Sequence, residues 1–347
     1  MKYTVLGLMS GSSLDGLDMA LCTFEKRAGQ WQFDIINAKT VKYPSSLAQQ
    51  LRNASRSKAL DLITLHKSYA RFMADRINAY LRTTGEKPLL IASHGHTVFH
   101  YPEAGINFQI GDGAVISALT GLPVVCDFRS QDMALGGQGA PLVPWGDKLL
   151  FPGYAMLLNL GGFSNITVQD PFMAYDICPV NFALNYFARK SGLEYDKDGD
   201  MGRKGKIIPS LLQMLNSLEY YERPAPKSLS AHWFYENFMN IVGRFKEPVV
   251  DIMRTLYEHI SFQIARELDR YGGKVLVTGG GAKNKFLIGL IREKTPVQIE
   301  IPGTMLIDYK EALIFAFLGL LRYLGETNVD KRITGADRNT SSGALYI

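Results

Sequence analysis

Cysteine is scarce in this chain of 347 residues: Cys22, Cys126 and Cys178 are its three examples, far apart and without a CxxC pair. An odd and sparse count argues against a disulfide framework and against a thiolate metal site, and favours a reducing compartment. No run approaches about 18 uninterrupted apolar residues, so no membrane span is expected. No apolar stretch precedes a cleavage site near Met1, so no signal peptide is expected either, and the expected location is cytoplasmic. Blocks of five or more Lys/Arg are missing although 38 basic residues face 33 acidic ones, for a net charge of +5. No nucleic-acid footprint is therefore supported. Also missing are G-x-x-x-x-G-K-[ST], G-x-G-x-x-G after a strand, and the G-x-S-x-G elbow. These absences exclude a P-loop and argue against a dinucleotide fold and a serine hydrolase.

What is present is alternation of strand and helix. An apolar run at Tyr3–Leu8 leads through a Gly/Ser turn to a second run at Leu17–Phe24, which reads as a hairpin. Leu65, Tyr69, Phe72, Met73, Ile77, Tyr80 and Leu81 recur at helical spacing up to Gly85, and Leu89–Ala92 then reads as a buried strand. Strands near 106–110 and 123–127 flank a helix at 113–120. The opening grammar returns at Tyr154–Leu160, Gly161-Gly162-Phe163-Ser164-Asn165 and Ile166–Val168, which suggests an internal duplication. Helices are expected at 180–192, 207–218 and 232–245, with a polar loop at 194–206. Ile252, Leu256, Ile260, Ile264 and Leu268 mark a further helix stopped by Gly272-Gly273. A strand at Val275–Val277, a glycine turn, a helix from about Lys283, a last helix at 309–324 and a strand at Gly343–Ile347 complete the chain. The class is α/β with mixed sheets, in two similar halves whose glycine turns would face an interdomain cleft.

Three glycine turns, at 9–16, 160–165 and 278–282, each follow an apolar strand. Glycine lets backbone N–H groups approach an anion without a side chain in the way. One such turn is an ordinary hairpin; three argue for a nucleotide site. Asp15 and Asp18 flank the first, and a carboxylate beside phosphate is favourable when Mg²⁺ lies between them. Alone, either aspartate would read as a turn former. Asp176 is expected at the end of the strand Met173–Tyr175, leading into a helix, where it would serve as general base; an N-cap is the plainer alternative. His94, His96 and His100 invite a zinc reading, but Gly95 argues for a turn between the first two and no partner carboxylates are near.

Together these segments resemble the 1,6-anhydro-N-acetylmuramic acid kinases of the actin/hexokinase/Hsp70-like superfamily. The resemblance is carried by Leu8-Met9-Ser10-Gly11-Ser12-Ser13-Leu14-Asp15-Gly16-Leu17-Asp18, and by Ser93-His94-Gly95-His96-Thr97-Val98-Phe99-His100, similar to the family's SHGQTVxH. It continues through Asp127-Phe128-Arg129, Asp132, Gly136–Pro144, Asn159–Thr167, Gly279–Asn284, Asp308–Ala312 and Thr334–Ala336.

The resemblance implies two ribonuclease-H-like (actin-like ATPase) domains with mixed sheets facing an interdomain cleft, with lobes at 1–128 plus 325–347 and at 129–324. It implies phosphorylation by ATP at O6 of the anhydro-sugar, coupled to hydrolysis of the anhydro bridge, giving N-acetylmuramate 6-phosphate in cell-wall recycling. Nucleotide contacts would come from Gly11, Ser12, Ser13, Leu14, Asp15, Gly16, Leu17, Asp18, Gly161, Gly162, Asn165, Gly279, Gly280, Gly281 and Asn284, with Asp15 on Mg²⁺. Asp176 would activate water at the anomeric carbon, and Thr97, Arg129 and Glu311 would hold the sugar. The partner is a small anhydro-sugar, neither nucleic acid nor membrane, and a homodimer is plausible.

Two segments depart from the family pattern. Asp176-Ile177-Cys178-Pro179-Val180-Asn181 stands for Asp-Thr-Gly-Pro-Gly-Asn, adding bulk beside the expected base. Ala231-His232 replaces a charged pair after Pro226-Lys227-Ser228-Leu229-Ser230. These changes leave two alternatives: a catalytically weak nucleotide- or sugar-binding sensor on the same scaffold, or a kinase for another sugar.

Overall fold

In the computed structural model, which describes residues 1–11 and 14–347, the chain opens with the expected hairpin, β1 (Lys2–Ser10) and β2 (Leu17–Arg27). A third strand, β3 (Gln30–Val41), follows a two-residue turn in which Ala28 (φ 48°) and Gly29 (φ 81°) are both left-handed. That geometry matches the twist of a tight hairpin. Then come β4 (Leu90–Tyr101), β5 (Ile106–Ile110) and β6 (Val124–Cys126). A second set consists of β7 (Met156–Leu160), β8 (Phe163–Val168), β9 (Met173–Pro179), β10 (Lys274–Thr278) and β11 (Gln298–Glu300). The last strand, β12 (Ala344–Tyr346), returns to the first set beside β6.

Among the described residues the first sheet runs β12-β6-β4-β1-β2-β3, with β5 paired to β4. The second runs β11-β10-β7-β8-β9. In each, three antiparallel strands form a meander whose first member pairs in parallel with the fourth strand, which pairs in parallel with the next. Both sheets therefore have the ribonuclease-H-like order 3-2-1-4-5, so the duplicated grammar of the sequence is a duplicated topology.

Helices end where the chain says they should. Ala59–Thr84 stops at left-handed Gly85, whose N–H donates to the Leu81 carbonyl at 3.0 Å. Val249–Tyr271 stops at Gly272 (φ 64°) and Gly273 (φ 83°). The segment expected as a loop at 194–206 contains a turn, Lys197–Gly199, and a short helix, Asp200–Lys204. Buried Asp196 organises it, accepting from the backbone of Met201 (2.9 Å) and Gly202 (3.1 Å) and from the Tyr257 hydroxyl (3.0 Å). The helix expected at 232–245 contains a π-helical stretch, Phe234–Met239.

The chain divides into two compact units, Met1–Phe151 with Tyr309–Ile347, and Pro152–Asp308. These bounds differ from the lobes expected at 1–128 plus 325–347 and at 129–324. Packing is the reason. The helix Val143–Leu150 lies against β3, where Phe33 and Phe151 rings meet at 5.2 Å. The helix Thr304–Tyr323 is seated so closely on β1 that a Cβ on Gly7 would fall 2.0 Å from the Ala312 carbonyl oxygen. Phe317 on the same helix packs against Phe24 and Trp31, each at 5.3 Å.

Candidate active site

In the first unit, β1 ends at Ser10 and β2 begins at Leu17, so the glycine turn projects from the end of a central strand. Leu14 is left-handed (φ 59°) and donates its N–H to the Gly11 carbonyl at 3.3 Å. Asp15 is exposed. Gly16 is packed on β3, where a Cβ would lie 2.6 Å from the Val41 carbonyl oxygen, so only glycine fits. Leu17 is fully buried, which limits it to a backbone role. Asp18 accepts from the Thr40 hydroxyl at 2.6 Å, which in turn lies 3.2 Å from the Tyr309 hydroxyl. Ser12 and Ser13 lie outside the described residues.

Gly95 does not form the turn expected between His94 and His96; it lies inside β4 with φ 73°, at an irregularity where Ser10 pairs with His96. That twist presents His94 to Arg129. The guanidinium donates to His94 Nε2 at 2.7 Å and to the Gly139 carbonyl at 2.7 Å. Because arginine only donates, His94 must accept through Nε2 and carry its proton on Nδ1, 3.0 Å from the Gly95 carbonyl. Burial, reinforced by the Arg129 charge, pushes His94 down to about 3, so the ring stays neutral. Burial also brings Arg129 down to about 10, against the pull of Glu311. The loop that accepts from Arg129 is pinned by fully buried Asp132, which accepts from the Gly139 N–H (2.9 Å) and the Thr334 hydroxyl (2.7 Å).

Glu311 is exposed on the helix Thr304–Tyr323. Loss of hydration around its carboxyl raises it above the usual range; Lys310 opposes the rise, Asp18 adds to it and Arg129 opposes it. Lys310 itself is buried in an ion pair with Asp147 at 2.8 Å. Arg129, Glu311 and Asp18 thus share one electrostatic neighbourhood in this unit. Thr97 is exposed on β4 and accepts from Gln109 at 3.3 Å.

In the second unit, Asp176 lies within β9 rather than at a strand end, because the strand runs on through Pro179 with a register shift at Ser164/Asn165. Its N–H donates to the Lys227 carbonyl (2.9 Å), its carbonyl accepts from the Tyr220 hydroxyl (2.7 Å), and its Oδ2 accepts from the Leu229 N–H (2.8 Å). Burial raises the carboxyl to about 6, with the Leu229 hydrogen bond pulling the other way. The bulk that replaces the family's glycines does not crowd this carboxyl: Ile177, Cys178 and Val180 are 0–1% exposed and belong to the core.

The remaining turns converge on the end of β7. Gly279 has φ 81°, and a Cβ there would fall 2.3 Å from Asn159 Oδ1 and 2.9 Å from the Leu160 carbonyl group. A Cβ on Gly281 would lie 2.7 Å from Leu160 Cβ. The Gly161 and Gly162 carbonyls accept from Asn181 (3.2 Å) and from Val180 (2.8 Å) and Phe182 (3.0 Å), at the start of the helix Asn181–Lys190. Asn181 Nδ2 donates to the Leu160 carbonyl at 3.0 Å, and Gly280 faces that amide with room between them. Asn165 is half-buried, opposite Asn159 and Asp176. Asn284 caps the helix Lys285–Lys294 through Leu287 N–H (3.1 Å) and donates to the Tyr257 hydroxyl (2.7 Å), so its amide is already engaged. A cradle of close-packed glycines beyond the carboxyl ends of parallel strands is where α/β sheets take phosphate-bearing ligands.

Sequence reasoning missed the clamp on Asp176. Two of its donors or acceptors are backbone groups of Lys227 and Leu229, and backbone groups have no sequence signature; the Pro226–Ser230 motif was the available clue. It also missed Arg52 and Ser55, which with His96 and the first glycine turn line a recess. No group of three or more His, Cys, Asp or Glu among the described residues could hold a metal on protein ligands alone. The exposed Asp15 carboxylate beside a glycine turn fits instead a Mg²⁺ that shares phosphate oxygens and water.

No helix among the described residues is long and apolar enough to cross a membrane. The family model "Anhydro-N-acetylmuramic acid kinase" matches residues 3–347. A curated protein of that name from Sulfurovum sp. (strain NBC37-1) is 32% identical over 363 residues, covering 100% of this chain and 99% of its own. Another, from Vibrio parahaemolyticus, is 33% identical over 371 residues, with 100% and 99% covered. Among solved structures, the Acidaminococcus fermentans (R)-2-hydroxyglutaryl-CoA dehydratase component A overlaps 91% of this chain and 97% of its own at 13% identity, with TM-score 0.46. The strand order, rather than that overlap, assigns the fold. With a match from end to end and the signature residues ordered along both sheets, this chain belongs to the anhydro-N-acetylmuramic acid kinase family.

Proposed function

We propose that this protein is a phosphotransferase with an alcohol acceptor: it uses ATP to convert 1,6-anhydro-N-acetylmuramate to N-acetylmuramate 6-phosphate, with hydrolysis of the anhydro bridge, in cell-wall recycling. The observation that carries the reading is Asp176: a partly buried carboxyl, fixed by a backbone donor and raised to about 6. Such a group is ionised at neutral pH yet basic enough to take a proton from water. Water loses its proton to Asp176 and its oxygen bonds the anomeric carbon. The bond from that carbon to O6 breaks, and O6 attacks the terminal phosphorus of ATP, releasing ADP. One water and one ATP are consumed per sugar.

The glycine turns at 11–18, 161–162 and 279–281 provide backbone for the phosphates and adenosine, with Asn165 and Asn284 beside them. Asp15 would hold Mg²⁺, whose chemistry when bound is to neutralise charge on the phosphate oxygens. Arg129, oriented by His94 and Gly139, counters negative charge at the acceptor, and Thr97 and Glu311 orient its hydroxyls. The core placement of Ile177, Cys178 and Val180 favours this reading over a sensor that has lost turnover.

The test is mass spectrometry of products from ATP, Mg²⁺ and the anhydro-sugar in ¹⁸O water. One label at the anomeric hydroxyl, with stoichiometric ADP, is expected. A phosphorylated product with the bridge intact, or no sugar-dependent ADP, would overturn it.

A further inference from the structure

A recess of about 380 Å³ opens within the first unit, beside the glycine turn at the end of β1. Ser10, Arg52, Ser55, His94, His96 and Thr97 supply its polar lining, with apolar neighbours. Arg52 is the one permanent charge among the described lining residues, and no carboxylate is among them. It stands exposed on the helix Ser45–Asn53, and its guanidinium has no ion-pair partner among the described residues. All its donors are therefore available.

His96 adds a donor of fixed direction. The Tyr43 hydroxyl, itself 2.8 Å from the Tyr69 hydroxyl, donates to Ser10 Oγ at 2.7 Å. The Ser10 hydroxyl keeps its own hydrogen for His96 Nδ1, 3.1 Å away. With Nδ1 accepting, the ring proton resides on Nε2. In the family's SHGQTVxH pattern a glutamine occupies this position, so the device belongs to this chain.

We propose that this recess receives the carboxylate of an acidic side arm on the acceptor sugar, with Arg52 as its cation and His96 Nε2–H as its second donor. The inference rests on the proposed acceptor being a muramic acid, whose ether arm ends in a carboxylate. A lone arginine with one neutral donor suits a single carboxylate; a triphosphate would need more charge, and the glycine turns offer it backbone instead.

The test is calorimetric titration of the whole protein, without nucleotide, using the anhydro-muramic acid and its carboxamide. The unaltered protein is expected to bind the acid at least about tenfold more tightly, the range of one charge-assisted contact. In Arg52→Gln the ratio should fall to near one, and Arg52→Lys should keep part of it. Because Arg52 is exposed, thermal melting should confirm that both variants fold. A ratio near one in the unaltered protein, a ratio retained in Arg52→Gln, or a loss of ATP affinity in its place would overturn the assignment. Sugar-dependent ADP release is measured in parallel. Preference for the acid without turnover would sink the kinase reading and leave the recess standing, whereas turnover without preference would do the reverse.

Discussion

Asp176→Asn should cut turnover steeply and make the protein more stable, two effects with one cause. The side chain is partly buried, and burial raises its carboxyl to about 6. An unfolded chain would ionise it near ~4. The sign follows from linkage: a carboxyl raised on folding favours the folded state only while protonated, below its unfolded value, and that advantage is lost as pH rises through about 6. The gap corresponds to about 3 kcal/mol at most, and partial exposure reduces it to about 2 kcal/mol. Asparagine keeps an oxygen to accept from Leu229 N–H without carrying the charge. The variant should therefore gain about 2 kcal/mol at pH 8, a few degrees in Tm, and almost nothing near pH 4. Turnover should fall by about 10²–10⁴, the span for loss of a general base. In the unaltered enzyme, kcat/KM should drop about tenfold per pH unit below about 6. Chemical denaturation of both proteins from pH 4 to 8, beside steady-state kinetics, checks all three. An Asn variant that turns over normally, or whose stability difference ignores pH, would refute the reasoning.

Lys310→Ala should destabilise the first unit by about 3–5 kcal/mol, because it breaks a buried ion pair with Asp147 at 2.8 Å; urea denaturation reads this directly. The same change should push Glu311 further up, visible as a loss of kcat/KM at the acid side of the pH profile. Gly279→Ala should lower Tm by several degrees and weaken nucleotide binding in a titration, since its Cβ would collide with Asn159 and the Leu160 backbone at φ 81°. Asp15→Asn should leave Tm within about a degree, because the residue is exposed. It should cut turnover about a hundredfold and raise the Mg²⁺ concentration needed for half-maximal rate, in an ADP-release assay.

Continuous apolar runs and glycine stops made much of the fold legible. Tyr3–Leu8 and Tyr154–Leu160 are the central strands of their sheets, and Gly85 and Gly272 end the helices they were expected to end. β3 escaped notice because it is an edge strand with alternating exposure, and its turn begins with alanine rather than Asn-Gly. Gly95 reads as a turn, yet here it is a left-handed residue inside β4, at the irregularity where Ser10 stands opposite His96. Asp176 was recognisable from its motif, but an extra residue in the pairing with β8 moved it from a strand end to mid-strand. The unit boundaries were hidden for a different reason. They depend on which sheet the helix Thr304–Tyr323 packs against, and Gly7 records that choice only once Ala312 is beside it.

The seat that Gly7 makes for Ala312 also fixes an order of assembly. The second unit is one uninterrupted stretch, 152–308, and is complete in the nascent chain as soon as Asp308 has emerged. The first unit needs Tyr309–Ile347 as well, so strand β1 lacks its helical cover until that later segment has emerged. The amino-terminal half must then wait on the ribosome with its central strand uncovered while the half made later folds first, a reversal of the usual vectorial sequence.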